Sequence, residues 1–142
     1  MAHYKLSLFK SPMHFGATVL RLAFALLFIL IAIKKFRMGL GNFTNAMILN
    51  PDNLTTQEIP NFLLQIYGYS IAWVELAAGV LLLFDRYTKI AYTIVAFTYL
   101  SFIFGQVYNG DEAIIGSQYM PSLLAVVAGY WMHEKDEPRR SA

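Results

Sequence analysis

Cysteine is absent from this 142-residue chain, and charged residues make up only 14 % of it, against about 25 % in soluble domains. Without cysteine there are no disulfides, no thiolate metal sites, no covalent c-type haem attachment and no thiol redox relay on this chain. Histidine is almost as scarce. His3, His14 and His133 fall at or beyond the ends of the apolar runs, so no histidine pair stands at membrane depth to ligate a haem. Carboxylates and histidines do not converge as a metal site requires. Asp111, Glu112 and Glu58 read as turn and cap residues, and no metal or catalytic residue is assigned. The net charge is +2, with no basic cluster interleaved with aromatics, which argues against a nucleic-acid partner.

What the chain has instead is apolar length. Hydrophobic residues make up 57 %, and most fall in four runs at about 15–33, 62–84, 90–107 and 114–132. Runs of about 20 apolar residues are long enough to cross a bilayer. The expected fold is an all-α integral membrane protein, an antiparallel bundle of four transmembrane helices in one domain, 1–142. The tail 133–142 is charged and expected to be solvated. The first run lacks a small-x-small cleavage pattern and carries Arg21, so it reads as a retained helix.

The connections have their own signals. Lys34-Lys35-Phe36-Arg37 ends the first run, and Gly39 and Gly41 release the helix. Phe43–Leu49 is too short to span and suits a short interfacial helix. Asn50-Pro51-Asp52-Asn53 marks a turn. Thr55-Thr56-Gln57-Glu58 has capping-box spacing, which starts the second helix near Thr56 with Pro60 in its first turn. Pro121 either kinks the last helix or marks its start. Leu6, Leu8 and Phe9 are expected on the membrane surface. With four spans, Lys5, Lys10, Arg86, Lys89, Lys135, Arg139 and Arg140 share one side, against Lys34, Lys35 and Arg37 on the other. The balance places both termini in the cytoplasm.

Small residues mark packed helix faces in membranes. Such stripes run through Thr18, Ala25 and Ala32 in the first span, and Gly68, Ala72 and Gly79 in the second. Thr98 and Gly105 mark the third span, and Gly129 the fourth. Arg21, Phe28 and Lys35 lie on the first stripe, and Glu75, the only charge between 62 and 84, lies on the second. A charge at membrane depth costs at least ~2.5–3.5 kcal/mol on insertion scales, so it faces a partner or a watery cavity. At 1.5 Å per residue, Arg21 lies roughly 9 Å and Glu75 roughly 13 Å from the same membrane face. The difference is within reach of an arginine side chain, and an Arg21–Glu75 ion pair is expected. It either fixes helix register or forms the floor of a headgroup site, with Lys35 and Trp73 nearby.

Three segments together resemble the DoxX-like membrane protein family. They are Leu20-Arg21-Leu22, then Ile31-Ala32-Ile33-Lys34-Lys35-Phe36, then Val74-Glu75-Leu76-Ala77-Ala78-Gly79 with its leucine run. Arg86 matches the family's polar turn, and the likeness covers roughly residues 15–110. Ala32 replaces the usual glycine before the lysine, and the glycine-rich, Asp-ending C-terminal signature is absent. The resemblance implies a small four-helix subunit associated with quinone-linked oxidoreductases or redox-homeostasis assemblies. The reading that follows is an accessory or scaffold subunit, not catalytic by itself, in a bacterial inner membrane. Its partners would be other integral membrane subunits and lipid. It would carry no cofactor of its own beyond a bound quinone or lipid. The alternatives are a quinone-binding oxidoreductase subunit, with Arg21 and Glu75 at the quinone head, and a small transporter.

Overall fold

The computed structural model describes residues 11–140, which are helical apart from short turns. The membrane-surface expectation for Leu6, Leu8 and Phe9 lies outside the described residues. Helix α1 (Pro12–Met38) starts on Ser11, whose side chain accepts from the His14 N–H at 3.1 Å, with Pro12 at the first helical position. Proline suits that position because its missing N–H would have no helical partner there. The helix runs through the Lys34–Arg37 cluster and stops at Gly39, whose φ of 88° is open to glycine and strained for other residues.

The connection that follows is folded. One turn, α2 (Leu40–Phe43), passes into a π-helical turn, Thr44–Ile48. It packs on the second spanning helix where Gly68 leaves room: a Cβ on Gly68 would stand 2.5 Å from the Thr44 side chain. Thr55–Glu58 forms its own single turn, α3. This corrects the expected start of the second helix near Thr56. Ile59 is extended, as a residue before proline favours, and α4 (Asn61–Leu83) begins after Pro60 instead.

A tight turn with Asp85 and Tyr87 at positive φ leads into α5 (Thr88–Asn109). Gly110, at φ 74°, ends α5. Asp111 caps the short α6 (Glu112–Ile114) by accepting from the Ile114 N–H at 3.3 Å. A π-helical turn, Ile115–Tyr119, then leads into α7 (Met120–Arg140). The wider turn sits just before Pro121, where the ladder loses an N–H donor. Pro121 therefore lies within one continuous span, Glu112–Pro138.

Among the described residues, four helices are thus long and apolar enough to cross a membrane. They form an antiparallel ring, α1–α4–α5–α7 and back to α1. One end of the bundle carries Asp85, and the other carries Asn109. Edge-on aromatics fill the middle: Phe24 lies 6.3 Å from Tyr92 and 6.4 Å from Tyr99, and Phe28 lies 5.8 Å from Tyr99. Such pairs place a positive ring edge on a negative ring face.

The tail is helical and solvated on one side only: Glu134, Lys135 and Glu137 are exposed, while the opposite face is docked. Helix α7 continues through it because Val126, Gly129, His133 and Asp136 extend one face onto the bundle, with His133 8 % and Asp136 2 % exposed. His14 Nδ1 lies 2.8 Å from Asp136 Oδ2, and Lys89 lies 2.7 Å from Glu137. His14 and His133 are therefore docked residues at the end of the bundle.

Helix α1 meets α4 backbone to backbone at Gly79. A Cβ on Gly79 would stand 3.0 Å from the Ile29 backbone nitrogen and 3.1 Å from the Ala25 carbonyl oxygen. Backbone cannot step aside as a side chain can. Gly79→Val should lower stability by about 3 kcal/mol, near the top of the usual overpacking range. Gly105→Ala, with open space around its Cβ, should be close to neutral. Thermal unfolding of both variants in detergent, followed by circular dichroism, checks the contrast; equal melting temperatures would refute it.

Candidate functional site

The expected Arg21–Glu75 pair does not form. Glu75 is paired with Lys35, whose Nζ donates to both carboxylate oxygens at 2.7 Å. Side-chain direction decides this. In a helix each Cα–Cβ bond tilts toward the N-terminus. Lys35, near the far end of α1, leans back into the bundle, while Glu75 on antiparallel α4 leans toward the Asn109 end, so the two converge. Arg21 leans the other way. It donates through Nη1 to the carbonyl oxygens of Leu82 and Leu83 and places Nε 3.6 Å from Asp85 Oδ1. It therefore closes the C-terminal end of α4, where unpaired carbonyls and a negative helix dipole favour a cation.

The pair is enclosed by the bundle. Glu75 is 1 % exposed and the Lys35 side chain 12 %. The ammonium also lies 4.9 Å from the Phe43 ring centroid and 5.6 Å from that of Phe102. Ring faces at that range attract a cation, so they supply part of what water would give Lys35. Trp73, expected near this site, is 60 % exposed and packs edge-on against Phe36 at 4.7 Å on the outside of the bundle. The α4 turn that buries Glu75 points Trp73 outward.

The small residues expected at packed faces lie against neighbours in the bundle, with one exception. Ala25, Ala32 and Ala72 are fully buried. Gly68, Gly79 and Gly129 each meet a neighbour closely, Gly129 lying against the Tyr92 ring. Thr98 is buried and donates to the Ile94 carbonyl oxygen at 2.9 Å. Gly105 is the exception, because no atom lies within 4 Å of its would-be Cβ. Instead of packing on a neighbouring helix, it lines a cavity.

That cavity, of about 320 Å³, lies between α4 and α5 under the 47–59 connection. Its wall includes Tyr67, Ser101, Phe102, Gln106, Asn109 and Tyr119. Phe102 separates it from the Lys35 ammonium. The sequence reading missed this site. Its trace was the spacing Thr98, Ser101, Phe102, Gly105, Gln106, Asn109, which marks one polar helical face on α5. The other wall comes from the 39–61 connection, whose fold no periodicity gives.

A family model described as methylamine utilisation protein MauE matches residues 13–111 of the chain. The match takes in Lys35, Glu75 and every cavity residue just named except Tyr119. It shows the membrane class that the DoxX-like resemblance implied, but not the DoxX-like name. No curated protein and no solved structure matches the chain.

Removing one partner of the buried pair strands the other charge, which costs about 3–5 kcal/mol. Lys35→Met and Glu75→Leu should each lower stability by that order, and the double variant should recover most of the loss. Arg21→Met and Glu75→Leu should add independently, with coupling under about 0.5 kcal/mol. A double-mutant cycle of unfolding in detergent measures both couplings. A large Arg21–Glu75 term with no Lys35–Glu75 term would overturn the assignment.

Proposed function

The chain belongs to the MauE family, and from that premise we propose that it is an accessory membrane subunit, a four-helix scaffold within a larger assembly. The observation that carries this reading is the state of Glu75. Both its oxygens are engaged by Lys35 and it has almost no exposure. That arrangement suits a lock between α1 and α4 better than a proton carrier or a transport path. Large side chains such as Leu26, Leu30, Trp73, Phe97 and Leu124 lie exposed around the outside of the bundle, a surface suited to lipid and to neighbouring membrane subunits. The DoxX-like resemblance suggests a redox-linked assembly in a bacterial inner membrane. The family description adds methylamine utilisation as the first metabolic setting in which to look for it.

We also place both termini in the cytoplasm. Lys35, drawn into the bundle by Glu75, no longer counts as a loop cation. The Asn109 end then offers Lys34 and Arg37 against seven lysines and arginines on the other side, which strengthens the positive-inside argument.

Affinity purification of the tagged chain from native membranes in mild detergent should recover at least one other integral membrane protein in stoichiometric amount. A monodisperse assembly of this chain alone would sink the accessory-subunit reading. Fused at the C-terminus, green fluorescent protein should be fluorescent and alkaline phosphatase inactive. Active phosphatase would reverse the orientation.

A further inference from the structure

We propose that the cavity between α4 and α5 binds the head of an uncharged membrane amphiphile by hydrogen bonds to its carbonyl oxygens. Its volume, about 320 Å³, lies within the roughly 300–1,000 Å³ of small-molecule sites. The way in is from the lipid. Leu63 and Phe104 line the cavity and are about half-exposed, so an apolar tail can run out between the helices while the head sits inside.

The wall determines the kind of head. Ser101 donates to the Thr98 carbonyl oxygen at 2.7 Å, so in the 2.8 Å Tyr67–Ser101 bond the tyrosine is the donor. Its hydroxyl proton is therefore committed. Asn53 donates its amide to the Met47 carbonyl oxygen at 2.9 Å. The Asn109 side-chain oxygen accepts from the Thr55 N–H at 3.4 Å, which leaves its NH₂ as a donor. No hydrogen bond within the described residues engages the Gln106 side chain, whose amide is also available to donate. The donors left over are thus neutral, the two amides and the Tyr119 hydroxyl, and such donors pair with carbonyl oxygens.

An anionic headgroup would need a cation. The cation beside the cavity is Lys35, and Glu75 holds it behind Phe102. Phe102 and Tyr119, with ring centroids 5.7 Å apart, add flat apolar surface next to the amides. A quinone ring and the ester groups of a diacylglycerol both present carbonyls of this kind. The site is independent of the accessory-subunit reading, since it can be filled whatever the chain assembles with.

The absence of cysteine makes the test direct. Gly105→Cys places one thiol in the cavity wall at a position with open space, and Gly116→Cys places one in open space away from the cavity. Alkylation of the full chain by N-ethylmaleimide in detergent is followed with decylubiquinone, dioctanoylglycerol or the anionic dioctanoylphosphatidylglycerol added. At a probe concentration near ten times its dissociation constant, a neutral probe should slow Gly105→Cys alkylation roughly tenfold by mass action. The Gly116→Cys rate should not change. Protection by the quinone alone, by the diacylglycerol alone or by both supports the site and identifies the source of the carbonyls. Adding Gln106→Leu, which removes no internal hydrogen bond, should weaken the probe's affinity about tenfold, the loss expected for one good hydrogen bond, so that the same probe concentration slows alkylation only about twofold. The proposal fails if neither neutral probe protects, if the anionic lipid protects equally, or if Gln106→Leu changes nothing.

Discussion

A carboxylate at membrane depth must find its counter-charge within the protein, and Glu75 finds it one helix away. The Lys35–Glu75 pair fixes three things together. It sets the register of α1 against α4, because two short contacts from one ammonium leave no freedom to slide. It orients the turn of α4 on which Gly79 follows, one helical turn later, where backbone meets backbone. It also draws the Lys35 head between Phe43 and Phe102, tying the 39–61 connection and α5 to the same point. A pair of this kind adds little net stability by itself, since desolvating two charges offsets much of their attraction. Its value is specificity: any other register leaves a buried charge alone.

The two ends of the bundle have become different environments. At the Asp85 end, Arg21, Asp85, His14, Asp136, Lys89 and Glu137 join α1, α5, α7 and the α4–α5 turn in polar contacts close to the membrane face. That turn holds Tyr87 at a φ of 52°, strained for a bulky residue. The neighbouring Asp85 is anchored by Thr88 at 2.7 Å and by Arg21. At the Asn109 end the helices part, and amide side chains line the space between them. A scaffold fastened at one end and open at the other can keep its shape while a small molecule occupies the opening.

Much of this was legible in the sequence, and the failures share one physical origin. Apolar run lengths located the four spans, and the stripe through Ala25, Phe28 and Ala32 identified the buried face of α1. Depth arithmetic put Arg21 within side-chain reach of Glu75 but treated side chains as radial spokes, when their tilt toward the helix N-terminus separates that pair and unites Lys35 with Glu75. Charge in the tail suggested solvation, yet His133 and Asp136 continue the spacing of Val126 and Gly129, and periodicity outweighed polarity. Gly105 looked like a packing residue because small size is all that sequence shows. Whether a small residue admits a helix or borders a space depends on what the distant 47–59 segment does.

The contact between His14 and Asp136 also has a consequence for how the chain is made. It joins the first turn of α1 to a residue 122 positions later in the chain. Chains enter membranes from the N-terminus, so α1, α4 and α5 can settle their register through Lys35 and Glu75 while α7 is still emerging. The ring is fastened only when Asp136 has left the ribosome. Until then the Phe24, Tyr92 and Tyr99 rings lack their fourth wall, and the unfinished chain presents an apolar seam that only lipid, a neighbouring subunit or a biogenesis factor can cover.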